Sequence, residues 1–78
     1  MKTFEFFNLT GSRKHPEIYA LDMAIDGAMS HRLSSSMVDG VQRLTLKKNG
    51  EKIATQDSPR GIIIGQRDAR EWAKQNAS

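Results

Sequence analysis

The stretch from Val41 to Gln56 constrains this chain more than any other. It reads VQRLTLKKNGEKIATQ, two alternating runs joined by Asn49-Gly50. Both central residues of a type I′ turn need positive φ, which Asn and Gly tolerate best, so this pair between alternating runs signals a two-residue hairpin. Such a short loop also sets the register. Lys48 falls opposite Glu51, Lys47 opposite Lys52, Leu46 opposite Ile53 and Leu44 opposite Thr55. Because strand side chains alternate, Leu44, Leu46, Ile53 and Thr55 share one face, while Arg43, Thr45, Lys47, Lys52 and Ala54 share the other. The expected hairpin is apolar on one side and basic on the other.

A chain of 78 residues is read as one domain, residues 1–78. It has no Cys, which excludes disulfides, thiolate metal sites and thiol nucleophiles and fits a reducing, cytoplasmic setting. The opening Met1-Lys2-Thr3-Phe4-Glu5 has no apolar core ending in small residues, so no secretory leader is expected. Apolar runs such as Ile62-Ile63-Ile64 are far short of the roughly 20 residues that a spanning helix needs, so no membrane partner is expected. The net charge is +3 and its distribution is uneven. Residues 1–40 hold four basic and five acidic side chains, whereas residues 41–60 hold five basic and two acidic. The positive excess sits on and just after the hairpin, where a polyanion would meet it. Lys and Arg are also common on sheet surfaces as protection against edge pairing.

In chain order, Lys2 to Leu9 reads as a strand with Phe4 and Phe6 on one side and Thr3, Glu5 and Phe7 on the other. Pro16 suits the first position of a helix, and Glu17 beside it suits the positive end of the helix dipole. From there Ile18, Leu21, Ile25, Ala28 and Met29 follow at steps of three and four, which predicts a helix ending between Leu33 and Ser36. Gly27 falls inside it, at a cost of about 1 kcal/mol against Ala. Asp39-Gly40 offers a second tight turn after a short strand through Met37 and Val38. Ser58-Pro59 and Gly61 break the chain, and Ile62-Ile63-Ile64 reads as a short buried strand. The last element, Gln66 to Gln75, is a helix with Ala69, Trp72 and Ala73 facing inward. The expected fold is therefore α+β, two-layered. Its order is β-α-β-β-(β)-α, with two helices packed on one face of a small, mostly antiparallel sheet.

Little supports catalysis. No Gly-x-Ser-x-Gly elbow is present, and the two histidines belong to no recognisable triad. Asp22, Asp26 and His31 would share the predicted helix, where they make either a weak acid–base or metal set or an ordinary solvated flank. Gly61-x-x-x-Gly65 lacks the Lys-Ser/Thr pair of a phosphate loop. No enzyme activity, cofactor or metal is expected.

The segments Arg43-Leu-Thr-Leu, Asn49-Gly50-Glu51-Lys52 and Asp68-Ala69-Arg70-Glu71-Trp72-Ala73 resemble the amino-terminal arm-binding domains of phage integrases. The likeness is one of supersecondary pattern and covers roughly residues 41–76. It implies a three-stranded sheet that enters the major groove, backed by a short helix. The chain departs from that pattern in its longer segment between Gly50 and Ala69, and Phe4–Leu33 has no counterpart there.

Two functions follow as expectations. The first is a small non-catalytic protein that binds nucleic acid through the exposed hairpin face. Arg43 would contact a base through its two-pronged guanidinium, and Lys47, Lys48, Lys52 and Arg60 would clamp phosphates. The alternative is a protein-binding inhibitor or adaptor of the phage and mobile-element kind. It would act through Phe7, Met37, Val38 and a sheet edge, by strand addition or as a homodimer.

Overall fold

Three Asx-Gly pairs organise the fold. Asp26-Gly27, Asp39-Gly40 and Asn49-Gly50 each have positive φ at both positions, 51° and 83°, 52° and 77°, and 51° and 84°. This is the backbone of a type I′ hairpin turn, whose twist matches that of the strands it joins. A computed structural model describes residues 2–77, in which these turns link β2 (Tyr19–Ile25), β3 (Ala28–Val38), β4 (Val41–Lys48) and β5 (Glu51–Asp57). With β1 (Phe4–Gly11) at the front, the strands form one antiparallel sheet in the order β1-β2-β3-β4-β5. Among the described residues a single helix, α1 (Gln66–Asn76), lies against β3 and β4 on one face.

The expected helix from Pro16 to the serine triplet is therefore absent. Its place is taken by the β2–β3 hairpin, and the sheet carries one helix instead of two. The reason lies in an ambiguous period. Leu21 and Ile25 satisfy a helical spacing, but Tyr19, Leu21 and Met23 also alternate, as do His31, Leu33 and Ser35. In the sheet these are the buried sets. A helix would have placed Asp26-Gly27 in its interior, whereas the hairpin uses both at positive φ, which Gly adopts freely and Asp tolerates better than most residues. Pro16 sits in a turn closed by Ile18 N–H donating to the His15 carbonyl at 2.9 Å, the second turn position that proline's fixed φ also suits.

The main hairpin forms as expected at its turn, with Lys48 opposite Glu51 and Lys47 opposite Lys52. It then departs. A β-bulge between Leu46 and Lys47 passes over Ile53, so Leu46 pairs with Ala54 and Leu44 with Gln56. Ala54 thereby turns toward the core, and Ile53 is left 43% exposed. The core consists of Tyr19, Leu21 and Met23 from β2, Leu33 from β3, Leu44 and Leu46 from β4, and Ala69 and Ala73 from α1. Phe4, Phe6 and Trp72 pack half-buried at its margins. Ile62 and Ile63 do not form a buried strand. They lie in an extended connection, 56% and 51% exposed.

That connection is held by Gln42, whose side chain is in the core and only 1% exposed. Its Nε2 donates to the Ile64 carbonyl at 2.9 Å, and its Oε1 accepts the Ile64 N–H at 2.6 Å. The amide thus pairs with Ile64 as a neighbouring strand would. Tyr19 Oη donates to the same carbonyl at 2.9 Å, and Gln42 Nε2 also donates to Ser35 Oγ at 2.8 Å. The Gln42 carbonyl accepts from Ser58 N–H at 2.8 Å, and Ser58 Oγ donates to the Ile62 carbonyl at 2.6 Å. Both ends of the connection are therefore tied to one residue of β4, and α1 begins directly after it.

Two stability measurements test this architecture. Gly27→Ala meets no atom within 4 Å, so its effect is conformational alone. In the hairpin it costs about 1–2 kcal/mol and lowers the melting temperature, whereas in a helix it would raise it by a comparable amount. Gln42→Met keeps the volume but leaves the Ile64 N–H without an acceptor. Urea unfolding should show a loss of about 1–3 kcal/mol for that group.

Candidate nucleic-acid interface

With α1 on one face, the other face of the five-stranded sheet has no cover among the described residues. Alternation and register decide which side chains it carries. One row across the strands runs Phe7, Asp22, Arg32, Lys47 and Lys52. A second runs Thr10, Ala20, Ser34, Thr45 and Thr55, and a third holds Ser36, Arg43 and Asp57. The middle row is made of small and hydroxylated side chains, so the charged rows stand above it on either side.

The charges on this face are not equivalent. Arg43 is engaged by Asp57 through both prongs, Nε to Oδ1 at 2.7 Å and Nη2 to Oδ2 at 3.0 Å. The bond raises the guanidinium further above its ordinary value and lowers the Asp57 carboxyl. The edge proposed for reading a base is thus already occupied. Arg32 Nη1 donates to Asp22 Oδ1 at 2.7 Å, and Asn8 Nδ2 donates to Asp22 Oδ2 at 2.9 Å. The amide of Asn8 and then Arg32 hold the Asp22 carboxyl below the usual carboxylate range. Lys47 and Lys52 face each other across β4 and β5, and neither has a carboxylate within 4.0 Å among the described residues. Like charges directly opposite on a sheet repel. The row Arg32, Lys47 and Lys52, offset by Asp22, is the strongest positive feature of this face.

Of the five cations expected to act together, the structure brings three to this face, Arg43, Lys47 and Lys52. Lys48 alternates to the helix side, near His31. Arg60 lies at the β3–β4 turn, its Nη2 donating to the Asp39 carbonyl at 3.0 Å. Arg32 joins the row unexpectedly, since the expected helix from Pro16 to the serine triplet ran through it. The Asp26-Gly27 pair was the available signal. The alternative contact set does not converge either. Phe7 is on the open face of β1, Met37 is on the helix side beside Gln42, and Val38 is half-buried at the β3–β4 turn.

The Asp22, Asp26 and His31 set is also dispersed. Asp22 is on the open face, and Asp26 is in a turn, where its Oδ1 accepts the Thr3 N–H at 2.8 Å. His31 is buried on the helix side, its Nδ1 sharing a 2.8 Å hydrogen bond with Ser30 Oγ. Among the described residues, no three such side chains are grouped to hold a metal. No helix is long and apolar enough to cross a membrane.

Burial, with Lys48 and Lys2 nearby, pushes the His31 imidazole down. The unfolded chain takes up this proton near pH 6.5 and the folded protein only at lower pH. Stability is therefore intact above about pH 6.5 and declines as the pH falls from there toward the folded value. Melting curves near pH 7.5 and near pH 5 should show this loss in the parent and a smaller loss in His31→Gln. Comparison with protein-family models, curated proteins and solved structures finds no match for this chain.

Proposed function

We propose that this protein is a non-catalytic nucleic-acid-binding module that meets the phosphate backbone with the open face of its sheet. The observation that carries the proposal is the cross-strand row Arg32, Lys47 and Lys52. Neighbouring strands lie about 4.8 Å apart, so three cations span roughly 10 Å. Folding holds Lys47 against Lys52 without a compensating carboxylate, a cost that a bound phosphate would relieve. The adjacent hydroxyls of Ser34, Thr45 and Thr55 supply neutral donors of the kind that commonly bind phosphate oxygens. The contacts are to backbone charge, so binding is broad in sequence and strongly dependent on salt.

A second reading, a protein-binding adaptor, is favoured by Ile62 and Ile63, which stand exposed beside half-buried Trp72 and line an apolar groove of about 270 Å³. Binding there would resist added salt, unlike binding on the cationic row.

Lys52→Glu separates stability from function. It places a carboxylate opposite Lys47, which should stabilise the sheet by about 0.2–1 kcal/mol. It also removes positive charge from the row, so affinity for DNA or RNA should fall. Melting curves and fluorescence anisotropy at two salt concentrations measure the pair of effects. Asp22 already compensates Arg32, so the parent's salt slope should correspond to about two phosphates at roughly 0.9 each on duplex DNA. A parent that binds neither DNA nor RNA at low salt overturns the proposal.

A further inference from the structure

On the opposite side of the sheet, the flank of α1 that faces β1 forms a second basic surface with a different chemistry. Arg67, Arg70 and Lys74 recur at steps of three and four, so they stand on one side of the helix. Beneath them are Phe4 and Phe6. Because β1 is an edge strand and α1 sits over β3 and β4, these two rings stay only half-buried. Together the side chains line a groove of about 470 Å³.

The Arg70 guanidinium lies over the Phe6 ring, 5.4 Å from its centroid. It has no carboxylate within 4.0 Å among the described residues, and its Nε is buried without a hydrogen-bond partner. Glu71, the one acidic side chain lining the groove, is bonded by Lys74 at 3.2 Å. Three cations and one carboxylate leave the groove with a net charge of +2.

We infer that this groove is a base-stacking site for single-stranded nucleic acid. A free phosphate would use the cations but not the rings, and an apolar ligand would use the rings but not the cations. A duplex keeps its base faces stacked inside. A single strand presents a planar face and a phosphate within one nucleotide, and binders of single strands combine aromatic platforms with a basic groove. Arginine planes accept bases as aromatic rings do, so Arg70 over Phe6 extends the platform. The inference shares its ligand class with the open-face proposal but uses separate residues on the other side of the sheet.

Fluorescence anisotropy with a short oligothymidine, an abasic strand of the same length and a duplex tests it. Phe6→Leu, which keeps an apolar side chain against the core, should weaken oligothymidine binding about tenfold and leave the abasic strand unchanged. Arg67→Gln with Lys74→Gln should weaken both strands and flatten the salt dependence. Amide chemical-shift mapping on the parent, which needs no variant to fold, should place oligothymidine shifts at Phe4–Phe6 and along α1. The inference is overturned if Phe6→Leu binds oligothymidine as the parent does, or if those amides stay still. Should Lys47→Gln with Lys52→Gln abolish binding while Phe6→Leu does nothing, the open face stands and the groove does not. A parent that binds none of the three ligands removes both.

Discussion

The pairing of the Gln42 side chain with Ile64 is the interaction on which the rest of the structure depends. A sheet of five strands buries one face only if something is laid across it, and α1 alone has few apolar residues for the task. Ala69 and Ala73 are small, so the helix backbone comes close to Leu33, Leu44 and Leu46, and Trp72 and Ile64 fill the margin. None of this holds unless the connection from Ser58 to Gly65 runs along a fixed path. Gln42 supplies that path from inside the core. Its main-chain carbonyl accepts Ser58, its side-chain amide satisfies Ile64, and Tyr19 adds a third hold from β2. A buried amide is costly when unpaired, so the same residue that enables docking also penalises every other path for the connection.

With one face sealed by this arrangement, charge is sorted between the two sides. The open face carries two ion pairs, Arg32 with Asp22 and Arg43 with Asp57, and an uncompensated pair of lysines in the same row as Arg32. The ion pairs are exposed and contribute little to stability, but they hold guanidinium groups in place. The lysines work against stability. A small domain has little stability to give up, so the opposed Lys47 and Lys52 are a local cost that the rest of the sheet has to offset. On the helix side one cation, Arg70, lies over an aromatic ring at the β1 edge, that of Phe6.

The sequence made some of this legible and concealed the rest for identifiable reasons. Asn49-Gly50 located its turn and the first two pairs of the hairpin, because the turn type fixes the register next to it. Beyond Lys47 the bulge at Ile53 intervened. Bulges leave no alternation signal, since Ile-Ala-Thr reads equally well in either register. The strand at Phe4 and Phe6, the Asp39-Gly40 turn and the C-terminal helix followed from local chemistry in the same way. Residues 16–36 misled because their apolar residues satisfy periods of both two and three and a half. Only the Asp26-Gly27 pair distinguishes the two, and it has the chemistry of the turns at 39–40 and 49–50. The error carried through to the candidate site, hiding Arg32 on a helix that does not exist. Gln42 and the docking of Ile64 lay beyond any local pattern, as they join residues 22 positions apart. Arg43 was chosen for its free fork, and nothing in the sequence announces that Asp57 occupies it.

The strictly sequential strand order bears on how the chain reaches this state. Every strand pairs with its neighbour in sequence, so forming the sheet never requires a long loop to close. Three of the four junctions are two-residue turns already biased to the native twist, and hairpins of this kind form in about 1–10 μs. Folding can start at any of the three and extend by adding one strand at a time, each addition made beside a strand already formed. The hydrogen bond from Tyr19 to Ile64 closes a separation of 45 residues and depends on β2 and β4 being in place. Helix docking is therefore the late step, and until it occurs the apolar face of the sheet is open to water. The chain's exposure to aggregation is concentrated in that interval, between a sheet that zips quickly and a helix that must wait for it.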